Sequence, residues 1–310
     1  MSSVSSTLPV LVMTRNDGHF LKQCVESIIN TVTIPVTIYI IDNNSDSVEQ
    51  HSILNDLAVK YSNVRLVFNK TNLWVIGLNT TINKIKLEHK SDFFFLTDAD
   101  IDFSHCTAKP CWLSYLVEQL ERNISIGKLG LSLSWDYLEG KSELNAILKQ
   151  EKSLYSEKHK INDLYVSFVD TTATLFRNDW SIDPSSGLYP DHMRYLRPEL
   201  YSCRTSRDVT VEHLGWHLYI NTEKMTTQHI NSKIKCFTLV GGDVKKEILK
   251  LGDRRYRIFY KALSKTIRRM WYIRRYYFLF RYIFKKGIIH FDGQGYVARY
   301  ARDISDIGVE

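Results

Sequence analysis

The sequence predicts an α/β fold with a doubly wound, mostly parallel sheet, followed by a basic amphipathic helical segment. Over residues 8–102, short β-branched and aromatic runs alternate with segments of helical periodicity, a pattern typical of parallel strands joined by helices. A polar cluster follows each of the first four runs, and such clusters gather at one edge of a parallel sheet. The basic excess of the chain lies in its C-terminal part, which marks a segment of different character.

The first half is predicted to contain four strands, each of the first three followed by a helix. The strands are expected at residues 10–13, 36–41, 64–68 and 93–97, and the helices at 20–29, 48–60 and 74–88. In the less regular second half, helices are expected at 112–121 and 143–158, and strands at 127–133, 165–176 and 209–213. A turn-rich stretch at 178–198 separates the last two strands.

Asp98-Ala99-Asp100 directly follows the most apolar of these strands. Because side chains alternate along a strand, the two carboxylates two residues apart point the same way. Carboxylate oxygens are the ligands that hard divalent cations prefer, and open α/β sheets bind ligands where their strands end. The pattern therefore predicts a cation site that is able to hold the diphosphate of a nucleotide.

The charge distribution separates a mildly acidic body from a basic tail. The whole chain has 41 Lys and Arg and 34 Asp and Glu, but residues 254–286 contain twelve Lys or Arg and no Asp or Glu. The remainder therefore has 41 − 12 = 29 basic residues against 34 acidic ones, a net charge of −5. We expect a catalytic body over residues 1–245, with a nucleotide-binding half at 8–102 and an acceptor-binding half at 103–245, and a membrane-association segment over 246–310.

Cysteine usage predicts a reducing compartment. The five cysteines are scattered and odd in number, and no Cys-x-x-Cys occurs. The first twelve residues lack a charged region and a long apolar stretch, so no signal peptide is expected, and no run of eighteen apolar residues predicts a transmembrane helix. The expected location is cytoplasmic.

Two common nucleotide-binding motifs are absent. No Gly-x-Gly-x-x-Gly follows the first strand, which argues against a dinucleotide site, and no Gly-x-x-x-x-Gly-Lys occurs, which argues against a P-loop. Four other motifs occur in order: Thr14-Arg15-Asn16, Asp42-Asn43-Asn44-Ser45, Asn72 with Gly77, and Asp98-Ala99-Asp100. In order and spacing they resemble the inverting family 2 glycosyltransferases of the GT-A fold, specifically over residues 8–102 and more weakly over 103–220.

The resemblance implies a donor site for a nucleotide diphosphate sugar. It gives Asp42 the role of reading the base and Thr14 that of lining the nucleoside, whereas a capping carboxylate at a helix N-terminus is the structural alternative for Asp42. Asp98 and Asp100 would hold Mn²⁺ or Mg²⁺ against the diphosphate. The positions implied in donor binding are Thr14, Arg15, Asn16, Asp42, Asn44, Asn72, Asp98 and Ala99.

The resemblance also implies a third metal ligand and a catalytic base in the second half. His213 best matches the late histidine ligand of this fold, and His217 is its competitor. The neighbouring Trp216 is expected either to stack on a sugar ring or to lie in the core. The family usually carries its base in a Glu-Asp pair, which this region lacks, so the candidates are Asp191, Asp170 and, third, Glu212.

The tail combines eleven aromatic residues with the twelve basic ones. On a helix, Tyr256, Tyr260, Leu263, Ile267 and Met270 line one side, opposite a basic side. This composition is typical of an interfacial helix on an anionic membrane, which predicts a peripheral location on the inner face of the cell membrane. A helical pair packed on the domain or on a second subunit is the alternative, and no nucleic-acid partner is expected.

Together these features predict a metal-dependent hexosyl- or N-acetylhexosaminyltransferase. It would move a sugar from a nucleotide diphosphate sugar, with UDP preferred, to a hydroxyl of a glycan or lipid-linked glycan in the synthesis of surface polysaccharide or lipopolysaccharide. Inversion of the anomeric carbon is expected. The alternatives are a retaining GT-A transferase and a non-catalytic membrane or polyanion adaptor on a degenerate transferase fold.

Overall fold

The computed structural model of the chain describes residues 7–72, 78–123, 126–177, 201–218, 227–239 and 241–286. The described residues fall into two compact units, one within residues 1–220 and the other within residues 221–288. The units therefore divide near residue 220, whereas the sequence predicts a functional division after residue 245.

The first unit contains twelve described strands and five described α-helices. The strands are β1 (Leu8–Thr14), β2 (Val36–Asp42), β3 (Val64–Phe68), β4 (Phe93–Asp98), β5 (Ile101–Asp102), β6 (Ile126–Gly130), β7 (Ser132–Leu133), β8 (Lys160–Ile161), β9 (Leu164–Val166), β10 (Thr174–Arg177), β11 (Tyr201–Arg204) and β12 (Thr210–His213). The helices are α1 (Gly18–Thr31), α2 (Val48–Lys60), α3 (Leu78–Glu88), α4 (Trp112–Arg122) and α5 (Asn145–Lys152).

Nine of these strands form one sheet, in the order β3-β2-β1-β4-β10-β6-β11-β9-β8. The first four are parallel, as the strand–helix alternation predicts. Because β10 is antiparallel to both β4 and β6, and β9 is antiparallel to both β11 and β8, only those two strands run against the other seven. The predicted α/β fold class with a mostly parallel sheet is confirmed. A second, three-stranded sheet has the order β5-β12-β7.

Both faces of the large sheet are buried, which is why its strands are almost continuously apolar. Val10, Val12 and Phe95 pack into the main core cluster with helices α1 and α4. The alternate residues Leu11 and Phe94 pack into a second cluster with α3. The register of the parallel strands is therefore fixed, because a slip of one residue would exchange the two faces.

Two predicted strands each prove to be two separate strands. Residues 127–133 divide at Leu131 into β6, in the large sheet, and β7, in the small one. Residues 165–176 divide into β9 and β10, which are not neighbours in the sheet. Ala173 has φ 47, a left-handed turn that breaks the extended backbone before β10. As a result, Asp170 lies in a loop and not within a strand as predicted.

Two predicted helices also differ in their bounds. The helix expected at 143–158 ends at Lys152, and Tyr155 beyond it packs its ring against Trp135 and Tyr165 at centroid distances of 5.4 Å and 5.1 Å. The helix expected from residue 74 is described from Leu78, since residues 73–77, Gly77 included, lie outside the described ranges.

The second unit consists of α6 (Thr227–Leu239), α7 (Lys246–Leu251) and α8 (Arg254–Lys286). Helix α8 packs on α6: Ser264 and Trp271 are buried, and the Trp271 indole donates to the Leu239 carbonyl at 2.8 Å. The predicted apolar side is thus divided, because Tyr260 and Ile267 on it are half-buried whereas Leu263 and Met270 are exposed. No helix among the described residues has the length and apolar character needed to cross a membrane.

Candidate functional site

Strands β1, β2 and β4 bring their polar C-terminal residues to one edge of the sheet. Thr14 at the end of β1 lies opposite Asp42 at the end of β2, and Met13 lies opposite Asp98 at the end of β4. Side chains that are far apart in sequence therefore meet where open α/β sheets bind their ligands.

The carboxylate of Asp42 is buried and hydrogen-bonded within its own loop. It accepts hydrogen bonds from the Ser45 amide at 2.9 Å and the Ser45 hydroxyl at 2.5 Å, and the Gln50 amide group donates to it at 3.4 Å. Gln50 also donates to the Thr14 hydroxyl at 2.9 Å, which ties the two strand ends together. The residue that caps helix α2 is Ser47, so the alternative role of Asp42 as the cap is wrong.

Asn16 joins the loops that follow β1 and β2. Its side-chain oxygen accepts from the amides of Asp46 and Ser47 at 3.1 Å and 3.2 Å, and its side-chain amide donates to the Asp46 carboxylate at 2.6 Å. Asn16 and Asn44 both have a positive φ, of 58° and 60°, which asparagine tolerates better than most residues. Local geometry thus accounts for asparagine at both positions, and the exposed Asn44 side chain remains accessible to a ligand.

The remaining predicted donor-binding residues differ in exposure. Ala99 is 2% exposed and packs in the main core cluster, so its side chain is not part of an open surface. Arg15 is half-buried, and its Nε has no hydrogen-bond partner within the described part of the chain. Asn72 lies directly before the undescribed residues 73–77.

Asp98 is linked to the loop that carries Asp170. The Thr172 hydroxyl donates to the Asp98 carboxylate at 2.8 Å, and the Thr172 amide donates to the Asp170 carboxylate at 3.0 Å. The negative charge of Asp170 also acts on both Asp98 and His213. The structure therefore places Asp170 beside the predicted metal ligands.

His213 faces Asp100 because β12 pairs antiparallel with β5. In this register His213 lies opposite Ile101, and the Leu214 amide donates to the Asp100 carbonyl at 2.8 Å. Nδ1 of His213 then lies 3.6 Å from Oδ2 of Asp100, and its ring stacks on the buried Trp216 at a centroid distance of 4.9 Å. The competing His217 instead contacts Glu212, with 3.4 Å between Nε2 and Oε1, and stacks on Tyr137.

Burial controls the protonation of Asp98, Asp100 and His213. It raises the pKa of Asp98, with the carboxylates of Asp100 and Asp170 acting in the same direction. Burial and then the charge of Asp17 raise the pKa of Asp100. Burial lowers the pKa of His213, although the nearby carboxylates oppose that shift. The neutral imidazole that a metal requires is therefore favoured.

Folding stability should depend on pH through Asp98 and Asp100. Because their pKa values are raised, the native state keeps these protons at a pH where the unfolded chain has lost them. Their contribution to the free energy of unfolding must then fall as the pH rises from about 4 toward neutrality, by on the order of 1–3 kcal/mol. Urea denaturation in EDTA should show Asp98→Asn gaining stability relative to wild type over this range.

The control for this measurement is Asp92→Asn, at an exposed position directly before β4. It should keep the wild-type dependence on pH. Equal pH profiles for Asp98→Asn and wild type would contradict the assignment of raised pKa values.

The residues at this edge fit a divalent cation. Oδ1 of Asp100 and Nδ1 of His213 are buried and have no hydrogen-bond partner among the described residues, which is costly unless a ligand supplies one. The absence of a side chain at Gly215 leaves room for the carboxylate of Asp100, because a Cβ there would lie 2.0 Å from Oδ2 of Asp100. Among the described residues, no three His, Cys, Asp or Glu side chains are already close enough to one another to coordinate a metal ion without help from other ligands. Mg²⁺ and Mn²⁺ sites often need only one or two carboxylates, with substrate phosphates and water as the other ligands.

A cavity of about 270 Å³ adjoins His213. Its lining includes His105, Asp136, Tyr137, Glu212 and Trp216, which come from three separate parts of the first unit. The structure thus places Asp170 near Asp98 and His213, His213 against Asp100, and Glu212 beside His213 on the cavity wall. Asp191 lies outside the described residues.

Several residues of the site are not identified by any sequence motif. Gln50 lies in the first turn of helix α2, the helix that follows β2, and no motif in the sequence indicates its contact with Asp42. Thr172 follows Asp170 by two residues, but its bond to Asp98 depends on the left-handed turn at Ala173. Gly215 lies two residues after the candidate ligand His213, and a glycine at this spacing is consistent with the close approach of Asp100.

The model of the family described as glycosyl transferase family 2 matches residues 10–181. A search of curated protein sequences gave no match.

Similarity to solved structures covers most of the chain at low identity. The mannosyltransferase PcManGT from Pyrobaculum calidifontis, in complex with GDP-Man and Mn²⁺, is 13% identical with a TM-score of 0.45, over 88% of this chain and 76% of that one. TarS of S. aureus is 10% identical with a TM-score of 0.43, over 86% of this chain and 54% of that one. TarS 1-349 in complex with UDP-GlcNAc is 9% identical with a TM-score of 0.43, over 79% and 70%.

The family match includes β1 to β4, the strand ends that carry Thr14, Asp42 and Asp98, and the loop of Asp170. It confirms the resemblance on which the donor site and the GT-A-like fold were predicted. Because it covers more than half of the 310 residues, the chain belongs to glycosyl transferase family 2.

Proposed function

We propose that this glycosyltransferase moves a sugar from a nucleotide diphosphate sugar, with UDP preferred, to a hydroxyl of a glycan or lipid-linked glycan. The observation that carries the proposal is a pair of buried atoms at the strand-end edge of the sheet, Oδ1 of Asp100 and Nδ1 of His213, which have no hydrogen-bond partner among the residues that the structure describes. The transferred group is a hexosyl or N-acetylhexosaminyl unit, and the product belongs to surface polysaccharide or lipopolysaccharide.

The donor would be bound by residues of both halves of the first unit. Asp98, Asp100 and His213 would hold Mn²⁺ or Mg²⁺, which supplies charge to stabilise the departing nucleoside diphosphate. The Nε of Arg15, which has no partner in the described ranges, offers a donor to phosphate oxygen. Asp42 has an acceptor position left for a base N–H, and Thr14 lies beside it.

The test is a titration of UDP, GDP, CDP and their sugars by calorimetry, with and without Mn²⁺. Metal-dependent binding of one nucleoside diphosphate is expected and would name the donor base. Failure of every nucleotide to bind under either condition would refute the proposal.

Inversion requires a base that takes the proton of the attacking hydroxyl, and Asp170 is our candidate. Its carboxylate is held by the Thr172 amide and lies within electrostatic reach of Asp98 and His213. Glu212 lines the adjacent cavity but is paired with His217. Asp191 stays a candidate from sequence.

Asp170→Asn should lower kcat by about 10²–10⁴-fold with little change in donor affinity, because the base acts only in the transition state. Glu212→Gln should lower kcat less and affect mainly the acceptor KM. Steady-state kinetics with the donor found by titration, and NMR of the anomeric configuration of the product, provide the measurement. A product of retained configuration, or a wild-type kcat for Asp170→Asn, would count against this role.

We further propose that helix α8 holds the enzyme on an anionic membrane, on the cytoplasmic face. Ile258, Met270, Tyr272, Ile273 and Tyr277 on this helix are more than half exposed. The helix contains twelve basic residues and no acidic one. Apolar and aromatic side chains that enter the interface, together with basic ones that meet lipid phosphates, are typical of interfacial helices.

The double variant Lys265→Glu, Arg269→Glu should weaken binding to vesicles that contain phosphatidylglycerol by at least about tenfold, since each basic side chain near such a surface contributes about 1 kcal/mol. Sedimentation with vesicles measures this. The double variant Lys22→Glu, Lys70→Glu makes the same charge change at exposed positions of the first unit and should bind as wild type does. Equal binding to vesicles of phosphatidylcholine alone would exclude the electrostatic mechanism.

A further inference from the structure

The cavity beside His213 has a definite chemical character. Two carboxylates, Asp136 and Glu212, line its wall together with the hydroxyl residues Ser134 and Thr210. No lysine or arginine is among the described residues that line it. The described lining thus offers many acceptors to hydroxyl donors, whereas a phosphate or carboxylate would find no lysine or arginine among these residues and only the imidazoles of His105 and His213.

Two cationic side chains that contact residues close in sequence to the cavity lining, Lys141 and Arg207, are engaged elsewhere. Lys141 donates to the Tyr137 carbonyl at 2.6 Å and lies over the ring of Tyr137 at 4.0 Å. Arg207 donates to the Leu133 carbonyl at 3.2 Å and lies over the ring of Trp135. Neither side chain therefore neutralises the carboxylates of the cavity.

The wall of the cavity is held in place by packing. His217 lies behind it, stacked on Tyr137 at a centroid distance of 3.7 Å and in contact with Glu212 at 3.4 Å. His213 and Trp216 form a second stacked pair on the cavity wall. Because the buried Nδ1 of His213 faces Asp100, the cavity opens next to the proposed metal ligands, where an attacking hydroxyl must arrive.

We infer that this cavity binds an uncharged, hydroxyl-rich saccharide as the acceptor and discriminates against acceptors that carry a phosphate or a uronate at the bound sugar. The inference rests on the proposed function, whose acceptor it specifies. Asp136 and Glu212 accept hydrogen bonds from sugar hydroxyls, and the same carboxylates repel an anionic acceptor. His217 is a positioning residue that orients Tyr137 and Glu212.

Matched pairs of small acceptors test this inference directly. Methyl β-glucopyranoside and methyl β-galactopyranoside are compared with the corresponding methyl uronides, which differ only in carrying a carboxylate at C6. Binding to the full chain is measured by saturation-transfer NMR and competition, in the presence of UDP and Mn²⁺. For at least one pair, the neutral glycoside should bind at least about tenfold more tightly than its uronide.

Variants separate the charge of the cavity from its shape. The double variant Asp136→Asn, Glu212→Gln should bring the ratio of the two affinities close to one, whereas Glu49→Gln on the exposed face of α2 should leave the ratio unchanged. His217→Ala should weaken the neutral glycoside without removing the discrimination, because the carboxylates remain.

The outcomes distinguish this inference from the proposed function, because nucleotide binding is measured on the same samples. Nucleotide binding with equal or tighter binding of the uronides, or with no binding of any neutral glycoside, would overturn the inference alone. An unchanged ratio in the double variant would also overturn it. Preferred binding of neutral glycosides without any nucleotide binding would support the cavity assignment and refute the proposed donor.

Discussion

Replacement of Asp100 with asparagine is expected to abolish Mn²⁺-dependent binding of the nucleoside diphosphate and to lower kcat/KM by at least about 10³-fold. The carboxylate of Asp100 has one oxygen 3.6 Å from Nδ1 of His213 and another without a partner among the described residues. Asparagine has nearly the same shape but removes the charge, so the loss would be one of cation affinity and not of packing.

Stability distinguishes this loss from misfolding. The Asp100 carboxylate is largely buried, and burial raises its pKa, so the ligand-free protein carries an unfavourable charge there at neutral pH. Asp100→Asn should therefore unfold at a temperature equal to or higher than that of wild type while failing to bind nucleotide. Asp92→Asn, at an exposed position directly before β4, should match wild type in both measurements. Full metal-dependent binding by Asp100→Asn would remove the basis of the proposed donor site.

The strand-end part of the site could be predicted from sequence because local patterns determine it. Each of the strands β1, β2 and β3 is followed by a helix. The apolar runs and the polar residues at their ends are therefore sufficient to predict the parallel sheet. Asp42 and Asp98 then meet at one edge whatever the rest of the chain does. The helix at Val48–Lys60 and the strand at Val64–Phe68 have the predicted bounds, since a serine cap and β-branched residues mark them.

The second half depends on contacts between distant segments, and sequence patterns do not encode these directly. Leu131 lies inside an apolar run, yet the chain passes there from one sheet to another because β7 pairs with β12 and β6 with β10 and β11. The position of Asp170 depends on the turn at Ala173, a residue type that rarely adopts a positive φ. For α8, the periodicity of the sequence predicts an apolar side, but only the structure shows which residues of that side are buried against α6.

A second large effect is expected at a residue without any polar side chain. Gly215→Ala should weaken Mn²⁺-dependent nucleotide binding by at least about tenfold, because its Cβ would lie 2.0 Å from Oδ2 of Asp100 and 3.0 Å from Cε1 of His213. The Cβ would displace the carboxylate of Asp100 and press on the ring of His213. A cation site tolerates such a displacement poorly, since metal–oxygen distances must stay within a few tenths of an ångström.

Gly140→Ala provides the matched control, because an added Cβ is unfavourable at Gly140 for its backbone conformation and at Gly215 for its contacts. Gly140 has φ 77 with no atom near its Cβ position, so alanine there is strained but meets nothing, and it should cost about 1 kcal/mol of stability without changing nucleotide affinity. Calorimetry and urea denaturation on both variants then separate a site effect from a backbone effect. Wild-type Mn²⁺-dependent binding by Gly215→Ala would mean that Asp100 and His213 do not act together on the metal, and the third ligand would have to be sought elsewhere in the chain.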